Sequence, residues 1–241
     1  MWLPVFMWSA LFANNQEIWD LANEAYANQN FEEAIEYYQS LEEEGMVSAN
    51  LYYNLGNSFF KTGKIGKSIL YYEKALKITP NNEDVLHNLE FANQLTVDNV
   101  EAVPALFFVE WWKSLTALFN SNKWASLSLT FWWMGFLLLA IYFLWIRKKW
   151  LSIPAYALLV AAIFSFIFSN SRYQQEYSEN FAIMVKNSAQ IKNAPDKNSS
   201  NQFVIHEGIK VEITDAVNEW AKIKLEDGKV GWIEIEKLKV I

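Results

Sequence analysis

Two long uncharged stretches lie close together in the second half of the sequence and limit the folds open to it. Residues 124–146 and 150–171 contain no Asp, Glu, Lys, Arg or His. A helix that rises ~1.5 Å per residue crosses a ~30 Å hydrocarbon layer over either length. Two buried helices of a soluble core are the alternative, but such a core would be larger than the remaining polar sequence can enclose. The sequence therefore predicts a hairpin of two transmembrane helices in contact with a lipid bilayer.

The turn between these stretches carries a topological signal. It consists of Arg147, Lys148 and Lys149, and basic residues in a short loop favour the cytoplasmic side of a membrane. Because the number of crossings is even, residues 14–123 and 172–241 are both predicted on the non-cytoplasmic side. Neither stretch contains an ionisable side chain of the kind that marks ion paths, so we expect the hairpin to be an anchor and not a transporter.

Export of the N-terminal region requires a signal, and residues 1–13 are the candidate. Trp2–Phe12 is apolar and uncharged, and Ala13 stands at a position suited to cleavage. No Lys or Arg precedes this run, which departs from the usual pattern of a signal peptide. Either the true start lies upstream of Met1, or the segment stays as a short N-terminal anchor, although so few apolar residues do not span a bilayer easily.

Residues 15–97 are predicted to form helical repeats with a capping helix. Self-comparison of residues 15–82 gives a period of 34, which is the length of the tetratricopeptide unit of two helices. The second copy has small and aromatic residues at the spacing of that unit, namely Tyr52, Leu55, Gly56, Phe59, Ser68, Tyr72, Ala75 and Pro80. The small residues Gly56 and Ser68 allow the two helices to approach closely, and aromatic rings fill the space around them.

The first copy is less regular and has a different charge. Ala25 and Met46 replace an expected aromatic and an expected proline. Residues 15–48 hold nine acids and no base, whereas residues 49–82 hold five bases and one acid, so stacking sets opposite charges side by side. Two repeats are fewer than the ~3 usually needed for stability, and residues 83–97 are therefore expected to cover the second repeat. The apolar residues expected in this cover are Leu86, Leu89, Phe91, Ala92 and Leu95.

The groove of the repeats is the candidate binding site. In this repeat class, ligand contacts come from the groove-facing residues of the first helix of each unit. Those residues are Trp19, Asn23, Tyr26, Tyr53, Asn57, Phe60 and Lys61, with His87 and Phe91 from the capping helix. Asn23 and Asn57 occupy equivalent positions and can donate to and accept from a peptide backbone. The alternative is that these side chains are solvated or packed against the capping segment.

Residues 104–122 are apolar but too interrupted to cross a membrane, because Glu110 and Lys113 divide them. Helical spacing clusters the apolar residues Phe108, Trp111, Trp112, Leu115, Leu118 and Phe119. This pattern favours a juxtamembrane amphipathic helix in the lipid interface just before the first span. Docking against the repeats is the competing interpretation.

Residues 180–241 change to short alternating apolar runs typical of β-strands. Asp227-Gly228 is a dipeptide favoured in two-residue hairpin turns. Pairing across such a turn places Leu225 opposite Val230 and Ile223 opposite Trp232, so that neighbouring lysines face outwards. The sequence thus predicts a small all-β domain of antiparallel strands.

This region resembles a bacterial SH3-type domain in its runs 189–192, 203–208, 210–213 and 228–233. The resemblance implies a small barrel of a kind that often binds peptides or cell-wall fragments. Trp220 and Trp232 are candidates for an aromatic binding surface. The alternative is that one or both belong to the core, and Trp232 is expected there. His206 is interpreted as an ordinary strand residue, since no second His, Cys or carboxylate is spaced to form a site with it.

Composition excludes several classes of function. The chain has no cysteine, so thiol nucleophiles, disulfides and thiolate metal sites are excluded. A net charge of −7 argues against binding nucleic acid through phosphate neutralisation. No motif combines catalytic or metal-binding residues, so we expect no enzyme activity, no cofactor and no metal site. Together these features predict a multidomain membrane protein: an N-terminal all-α tetratricopeptide solenoid, a two-helix transmembrane hairpin and a C-terminal all-β SH3-like barrel.

The order of these parts resembles the BatE proteins of the Bacteroidetes aerotolerance operons. The most specific stretches are residues 51–61, 67–77 and 87–93. The resemblance implies a protein of the bacterial inner membrane whose N- and C-terminal domains lie in the periplasm. It also implies an aerotolerance or envelope-stress complex with other Bat proteins, including ones with von Willebrand A domains, alongside a MoxR-type ATPase. We therefore expect a non-enzymatic adaptor that binds protein partners through its repeats; the alternative is peptidoglycan sensing through the SH3-type barrel.

Overall fold

The computed structural model describes residues 3–98, 106–145, 147, 149–177 and 180–241. The chain forms two compact units. The hairpin unit contains residues 104–178, and the second unit combines the residues on either side of it, 1–103 and 179–241. We call the helical part of the second unit the repeat lobe and its sheet the β lobe. Helical repeats, two long apolar helices and an all-β domain confirm the predicted fold class.

Over residues 3–98 the repeat lobe has five helices: α1 (Leu3–Ala27), α2 (Phe31–Glu43), α3 (Ala49–Lys61), α4 (Ile65–Ile78) and α5 (Glu83–Gln94). Side-chain caps fix the start of two of them, because Ser48 accepts a hydrogen bond from Leu51 N and Asn82 accepts one from Val85 N. α1 runs through much of the segment expected to be a signal peptide or anchor. Met1 and Trp2 lie outside the described residues, and cleavage after Ala13 stays a prediction.

The close approach of α3 and α4 depends on Gly56. A Cβ atom at this position would lie 2.5 Å from the ring of Tyr72. Ser68 Oγ, from the opposite helix, donates a 2.8 Å hydrogen bond to the main-chain oxygen of Gly56. Tyr72 and Phe59 are each only 1% exposed. The small residues of the second copy therefore have the packing role expected of them.

The capping helix α5 packs as predicted but uses a partly different face. Its buried residues are Val85, Leu89 and Ala92. Leu86, Phe91 and Leu95 are exposed, so the expectation that they cover the second repeat is wrong. The 34-residue period explains the difference, because Val85 and Leu89 follow Leu51 and Leu55 of α3 by that interval. α5 therefore packs like the first helix of a third repeat.

In the described part of the hairpin unit there are three helices: α6 (Phe107–Thr116), α7 (Ser121–Leu144) and α8 (Lys149–Tyr177). Among the described residues, two segments are long and apolar enough to cross a membrane, Ser121–Leu144 and Trp150–Gln174. Arg147 is exposed between the two helices, Lys149 begins α8, and Lys148 lies outside the described residues. The topological role of these three basic residues stays a prediction.

Small side chains line the contact between α7 and α8. A Cβ atom at Gly135 would lie 2.8 Å from Leu159 Cδ2, and Ala155, Ala162 and Ser165 are buried. Ser128 Oγ donates a 2.9 Å hydrogen bond to the main-chain oxygen of Ala162. Close backbone approach with interhelical hydrogen bonds is the packing mode of membrane helices.

α6 packs one aromatic side chain, Trp112, against α8 and leaves others exposed. Trp112 Nε1 donates a 3.2 Å hydrogen bond to Ser171 Oγ, and the ring of Trp112 packs edge-on against Phe168. Phe107 and Trp111 are 83% and 62% exposed. The exposed apolar face therefore includes Phe107 and excludes Trp112, a change from the cluster drawn from helical spacing.

The β lobe has seven strands: β1 (Phe181–Met184), β2 (Ser188–Lys192), β3 (Asn201–His206), β4 (Lys210–Val217), β5 (Trp220–Lys224), β6 (Val230–Glu234) and β7 (Leu238–Val240). Within the described strands the order is β3-β2-β6-β5-β4-β1-β7, and each neighbouring pair is antiparallel. Alternate residues point into an apolar core that includes Ala182, Met184, Ile191, Ile205, Ile223 and Ile233.

The register of the β5–β6 hairpin differs by one residue from the prediction. Ile223 pairs with Gly231 and Lys222 pairs with Trp232, so the expected pairing of Ile223 with Trp232 is wrong. Leu225 N donates to Lys229 O across a three-residue loop in which only Gly228 has a positive φ, 87°. A slip of one residue moves each side chain to the other face of the sheet.

The repeat lobe and the β lobe share an apolar contact. Ile183 of β1 is fully buried in the core of the repeat lobe. Gly66 of α4 allows this contact, because a Cβ atom there would lie 2.9 Å from the main-chain oxygen of Met184. No local pattern in the sequence indicates this packing, which joins segments separated by the entire hairpin.

Polar contacts reinforce the junction of the two lobes. Lys210 Nζ lies 2.7 Å from Glu73 Oε2, and Lys77 Nζ donates a 2.8 Å hydrogen bond to the main-chain oxygen of Ile241. The Asp98 carboxylate contacts His206 at two atoms. One carboxylate oxygen lies 2.6 Å from the main-chain nitrogen of His206, and the other lies 2.9 Å from its Nδ1. His206 therefore has a carboxylate partner that its sequence neighbourhood did not indicate, and the contact connects the end of the repeat lobe to β3.

Candidate functional site

A hydrogen-bond network repeats along the groove with the 34-residue period of the sequence. Tyr38 OH donates to Asn23 Oδ1 at 2.7 Å, and Asn54 Nδ2 donates to Tyr38 OH at 3.2 Å. One repeat later, Tyr72 OH donates to Asn57 Oδ1 at 2.7 Å, and Asn88 Nδ2 donates to the same oxygen at 2.9 Å. Each predicted groove asparagine is thus held by a buried tyrosine of the second helix in its repeat.

In Asn23 and Asn57, the side-chain oxygen and the side-chain nitrogen have different roles. The Oδ1 atoms of Asn23 and Asn57 accept hydrogen bonds from within the repeat lobe. Their Nδ2 groups donate no hydrogen bond to any residue in the described part of the chain. A carbonyl oxygen of a partner could therefore accept a hydrogen bond from these Nδ2 groups. The two asparagines are thus suited to donate hydrogen bonds to a partner rather than to accept them.

A cavity of about 320 Å³ lies in the groove beside the second repeat. Its lining residues are Tyr26, Tyr53, Asn57, Phe60, Lys61, Tyr72, Asn88 and Phe91. Most of the predicted site residues are thus brought together around one space. Asn23, Trp19 and His87 do not line it: the Trp19 ring packs edge-on against Tyr38, and the His87 ring against Phe91.

Sequence reasoning missed Tyr72 and Asn88 as members of this site. Tyr72 was assigned only to packing, and Asn88 was not singled out. Both could have been found from the period, because they follow Tyr38 and Asn54 by 34 residues. The same interval relates Tyr26 to Phe60 and Trp19 to Tyr53, so aromatic residues recur on this surface.

The surroundings of the groove raise the pKa values of its tyrosines. Burial is the main cause that raises the pKa of Tyr38 to about 12. It also raises the pKa of Tyr72 far above the ordinary value, and it raises that of Tyr26 with a further contribution from Tyr53. Phenol groups with raised pKa values remain hydrogen-bond donors at neutral pH. Lys61 is exposed at the edge and supplies the positive charge of an otherwise neutral, aromatic cavity.

The charge difference between the two repeats produces one specific ion pair. Glu42 of the first repeat lies 2.7 Å from Lys74 Nζ of the second. It also accepts a 2.7 Å hydrogen bond from Tyr71 OH, and burial followed by this bond raises the pKa of Tyr71. The expected placement of opposite charges side by side is therefore realised at the contact between the repeats.

The β lobe has a separate cavity of about 330 Å³ beside Trp220. Lys192, Lys197 and Lys237 line it together with one acid, Glu234. Glu234 lies 2.6 Å from Lys237, and the pKa of its carboxyl is lowered first by that hydrogen bond. The cavity therefore combines an aromatic edge with an excess of positive charge.

The two tryptophans of the β lobe differ in exposure from the sequence expectation. Trp220 is only 8% exposed, so little of its ring is presented at a surface. Trp232, expected in the core, is half-buried and pairs with Lys222 on one side and Lys192 on the other. The register of the β5–β6 hairpin explains this, because Ile223 and Ile233 occupy the inward positions instead.

Two segments of the chain match known families. Residues 49–82, which include α3 and α4, match the family model of the tetratricopeptide repeat. Residues 187–236, from β2 to the end of β6, match that of the bacterial SH3 domain. No curated protein matches the chain. The matches indicate a repeat that mediates protein–protein interaction and a module of a kind associated with cell walls, neither of which is typically catalytic.

Proposed function

We propose that the protein is a non-enzymatic, membrane-anchored adaptor that binds a protein partner through the groove of its repeat lobe. The cavity beside Asn57 carries this proposal, because it combines aromatic walls, an unused amide donor and the exposed charge of Lys61. Extended peptides need apolar contacts together with donors for their main-chain oxygens. Trp19, Asn23 and His87 would extend the contact surface beyond the cavity.

We further propose that the hairpin anchors the protein in the bacterial inner membrane, with residues 147–149 in the cytoplasm and both lobes in the periplasm. The basic turn supports this orientation. Packing of the repeat lobe on the β lobe supports the same-side arrangement, because Gly66 and Met184 can meet only if the intervening residues cross the membrane an even number of times. The orientation itself depends on the charges of Arg147, Lys148 and Lys149.

The order of parts supports a BatE-like role in an aerotolerance or envelope-stress complex. A tetratricopeptide repeat, two apolar helices and a bacterial SH3 domain follow one another in the order of those proteins. The partners proposed on this basis are other Bat proteins, including ones with von Willebrand A domains. A resident cofactor is not part of the proposal.

A photo-crosslinking experiment tests the groove in native membranes. A benzophenone amino acid replaces Phe60, and crosslinked partners are isolated with the full-length chain. Lys61→Glu is the informative second change, because Lys61 is exposed and contributes no ion pair to the described fold. Recovery of partners should fall with Lys61→Glu and persist with the matched control Lys64→Glu, which lies outside the cavity. Equal recovery from both variants would reject the groove.

The second candidate function is recognition of peptidoglycan by the β lobe. The observation that favours it is the lysine-lined cavity beside Trp220, because carboxylates of wall peptides would find positive charge there. The full chain in detergent should sediment with purified sacculi, and Lys197→Glu should reduce the bound fraction. Lys239→Glu, an exposed change on β7 outside the cavity, is the control. No sedimentation of the unaltered protein would dismiss this function.

A further inference from the structure

A cleft of about 670 Å³ lies where the repeat lobe meets the β lobe. α4, α5 and the turn after α5 form one wall, and the turn from β3 to β4 together with Glu226 forms the other. The cleft shares no lining residue with the groove cavity or with the cavity beside Trp220. It exists only because the two lobes are docked, so no isolated tetratricopeptide or SH3 domain would contain it.

The charge on the cleft is predominantly negative and partly uncompensated. Two of its four carboxylates have partners, since Glu73 pairs with Lys210 and Asp98 binds His206. The other two, Glu90 and Glu226, stand on opposite walls. Neither makes a hydrogen bond or ion pair with a residue of the described ranges. The cleft therefore offers two free carboxylates to a cationic partner.

The floor of the cleft is apolar, and its side carries free amide groups. Leu86 is 45% exposed next to the buried side chains of Leu89 and Ile209. Asn93 and Gln94 extend along α5, and their side-chain amides have no hydrogen-bond partner in the described structure. Such amides can pair with both the N–H and the C=O groups of an extended chain.

We propose that this cleft binds an extended segment of a protein partner that carries basic side chains beside an apolar one. The apolar side chain contacts Leu86, the main chain pairs with the amides of Asn93 and Gln94, and Lys or Arg side chains meet Glu90 and Glu226. The chain's own residues 99–103, which follow Asp98, contain Glu101 and no base. They therefore lack the charge that the cleft favours, and the complementary partner is a separate basic polypeptide.

Fluorescence anisotropy on the full chain in detergent micelles tests this proposal. The probe is a fluorescein-labelled peptide with the sequence Gly-Leu-Lys-Leu-Lys-Gly, and the comparison peptide has Glu in place of each Lys. The basic peptide should bind and the acidic one should not. The double variant Glu90→Gln/Glu226→Gln should weaken binding on the order of tenfold, since two exposed ion pairs are lost. Leu86→Ser should weaken it by about threefold or more through loss of apolar contact.

Two controls make the outcome specific to the cleft. Glu236→Gln removes an exposed carboxylate from the β lobe outside the cleft and should leave the affinity unchanged. Lys61→Glu alters the groove and should also leave it unchanged, which separates this site from the proposed adaptor function. Equal affinity of the double variant and the unaltered protein would overturn the proposal. So would equal weakening by Glu236→Gln, which would indicate attraction to the protein's general negative charge.

Discussion

The repeat lobe and the hairpin unit both contain a helix pair that closes around a glycine, yet they bury opposite kinds of side chain. Between α3 and α4, Gly56 lies under the ring of Tyr72, and the neighbouring buried residues are large. Between α7 and α8, Gly135 lies under Leu159, and the neighbouring buried residues are small. Trp124 and Leu151 are buried in the hairpin as well, but many of its large apolar side chains point away, as Trp133 and Leu137 do at 73% and 61% exposure.

This inversion indicates that the two helix pairs are suited to different solvents. In water, the hydrophobic effect drives large apolar side chains together and leaves polar groups outside. In lipid, apolar side chains gain nothing by leaving the surroundings, so helices associate through small residues and interhelical hydrogen bonds. Ser128 and Ser169, which donate to main-chain oxygens of the facing helix, are such contacts. The side chains of the hairpin are distributed as expected for helices in a bilayer, and those of the repeat lobe as expected for a protein in water.

The largest expected difference comes from placing one charge on each exposed surface. Leu137→Arg puts a guanidinium in the middle of α7 and should cost about 3 kcal/mol of membrane insertion. Leu21→Arg makes the same change on an exposed position of α1 and should alter stability by less than about 0.5 kcal/mol. Insertion is measured with glycosylation tags and microsomes, and folding by urea titration. Similar small costs at both positions would remove the distinction between the surfaces.

Replacing the glycine of each helix pair by valine tests how the two pairs are packed. Gly56→Val forces a side chain into the Tyr72 ring and should lower the free energy of unfolding by about 2–3 kcal/mol. Gly135→Val meets the flexible end of Leu159 and should cost roughly 1 kcal/mol, because lipid can fill the space between separated helices. Urea titration followed by circular dichroism measures the first change. Ala49→Val, at the start of α3, is its control. A larger effect at Gly135 than at Gly56 would contradict the comparison.

A smaller effect is expected from loosening the junction of the two lobes. Gly66→Val places a side chain against the main-chain oxygen of Met184. This oxygen has little freedom to move because it belongs to the backbone of β1. The change should cost about 1–2 kcal/mol and accelerate hydrogen exchange at the amides of α4 and β1. Exchange within α7 and α8 should be unaffected. Lys67→Val, at the next position of α4, serves as the exposed control, and identical exchange in both variants would mean that the lobes are held together elsewhere.

The smallest expected effect is a dependence on alkaline pH confined to the repeat lobe. Burial raises the pKa of Tyr38 from 10.0 to about 12, so the folded state retains a proton that the unfolded state loses. Stability should therefore be constant below pH ~10 and fall as the pH rises towards ~12. Tyr38→Phe should reduce this slope. Urea titrations at several pH values measure it, and an unchanged slope in Tyr38→Phe would exclude this tyrosine as a contributor.

Local sequence patterns predicted the helices and strands of this structure well. Each pattern reflects the surroundings, lipid, water or protein core, of a single helix or strand. Uncharged length predicted α7 and α8, and the 34-residue spacing predicted the close contact between Gly56 and Tyr72. The same period extended into α5 would have placed Val85 and Asn88 correctly. The spacing was a better guide to that helix than its apolar composition, which favoured the exposed Leu86 and Phe91.

Two features could not be predicted because they depend on interactions that local sequence does not encode. Asp227-Gly228 fits both a two-residue and a three-residue loop, and the packing of Ile223 and Ile233 selects the second. The contact of Gly66 with Met184 joins positions separated by the hairpin, and the sequence around either residue gives no sign of it. The cleft at the lobe junction depends on that contact, so it could not be predicted from the sequence either.

Cysteine labelling in spheroplasts tests the central claim most directly, since the chain contains no cysteine of its own. Single substitutions Asn28→Cys in the repeat lobe, Asn198→Cys in the β lobe and Arg147→Cys in the turn are treated with a membrane-impermeant maleimide. If both lobes are periplasmic, the cysteines at 28 and 198 will react in intact spheroplasts, whereas the one at 147 will react only after permeabilisation. Labelling at 147 without permeabilisation, or protection of only one lobe, would contradict this topology.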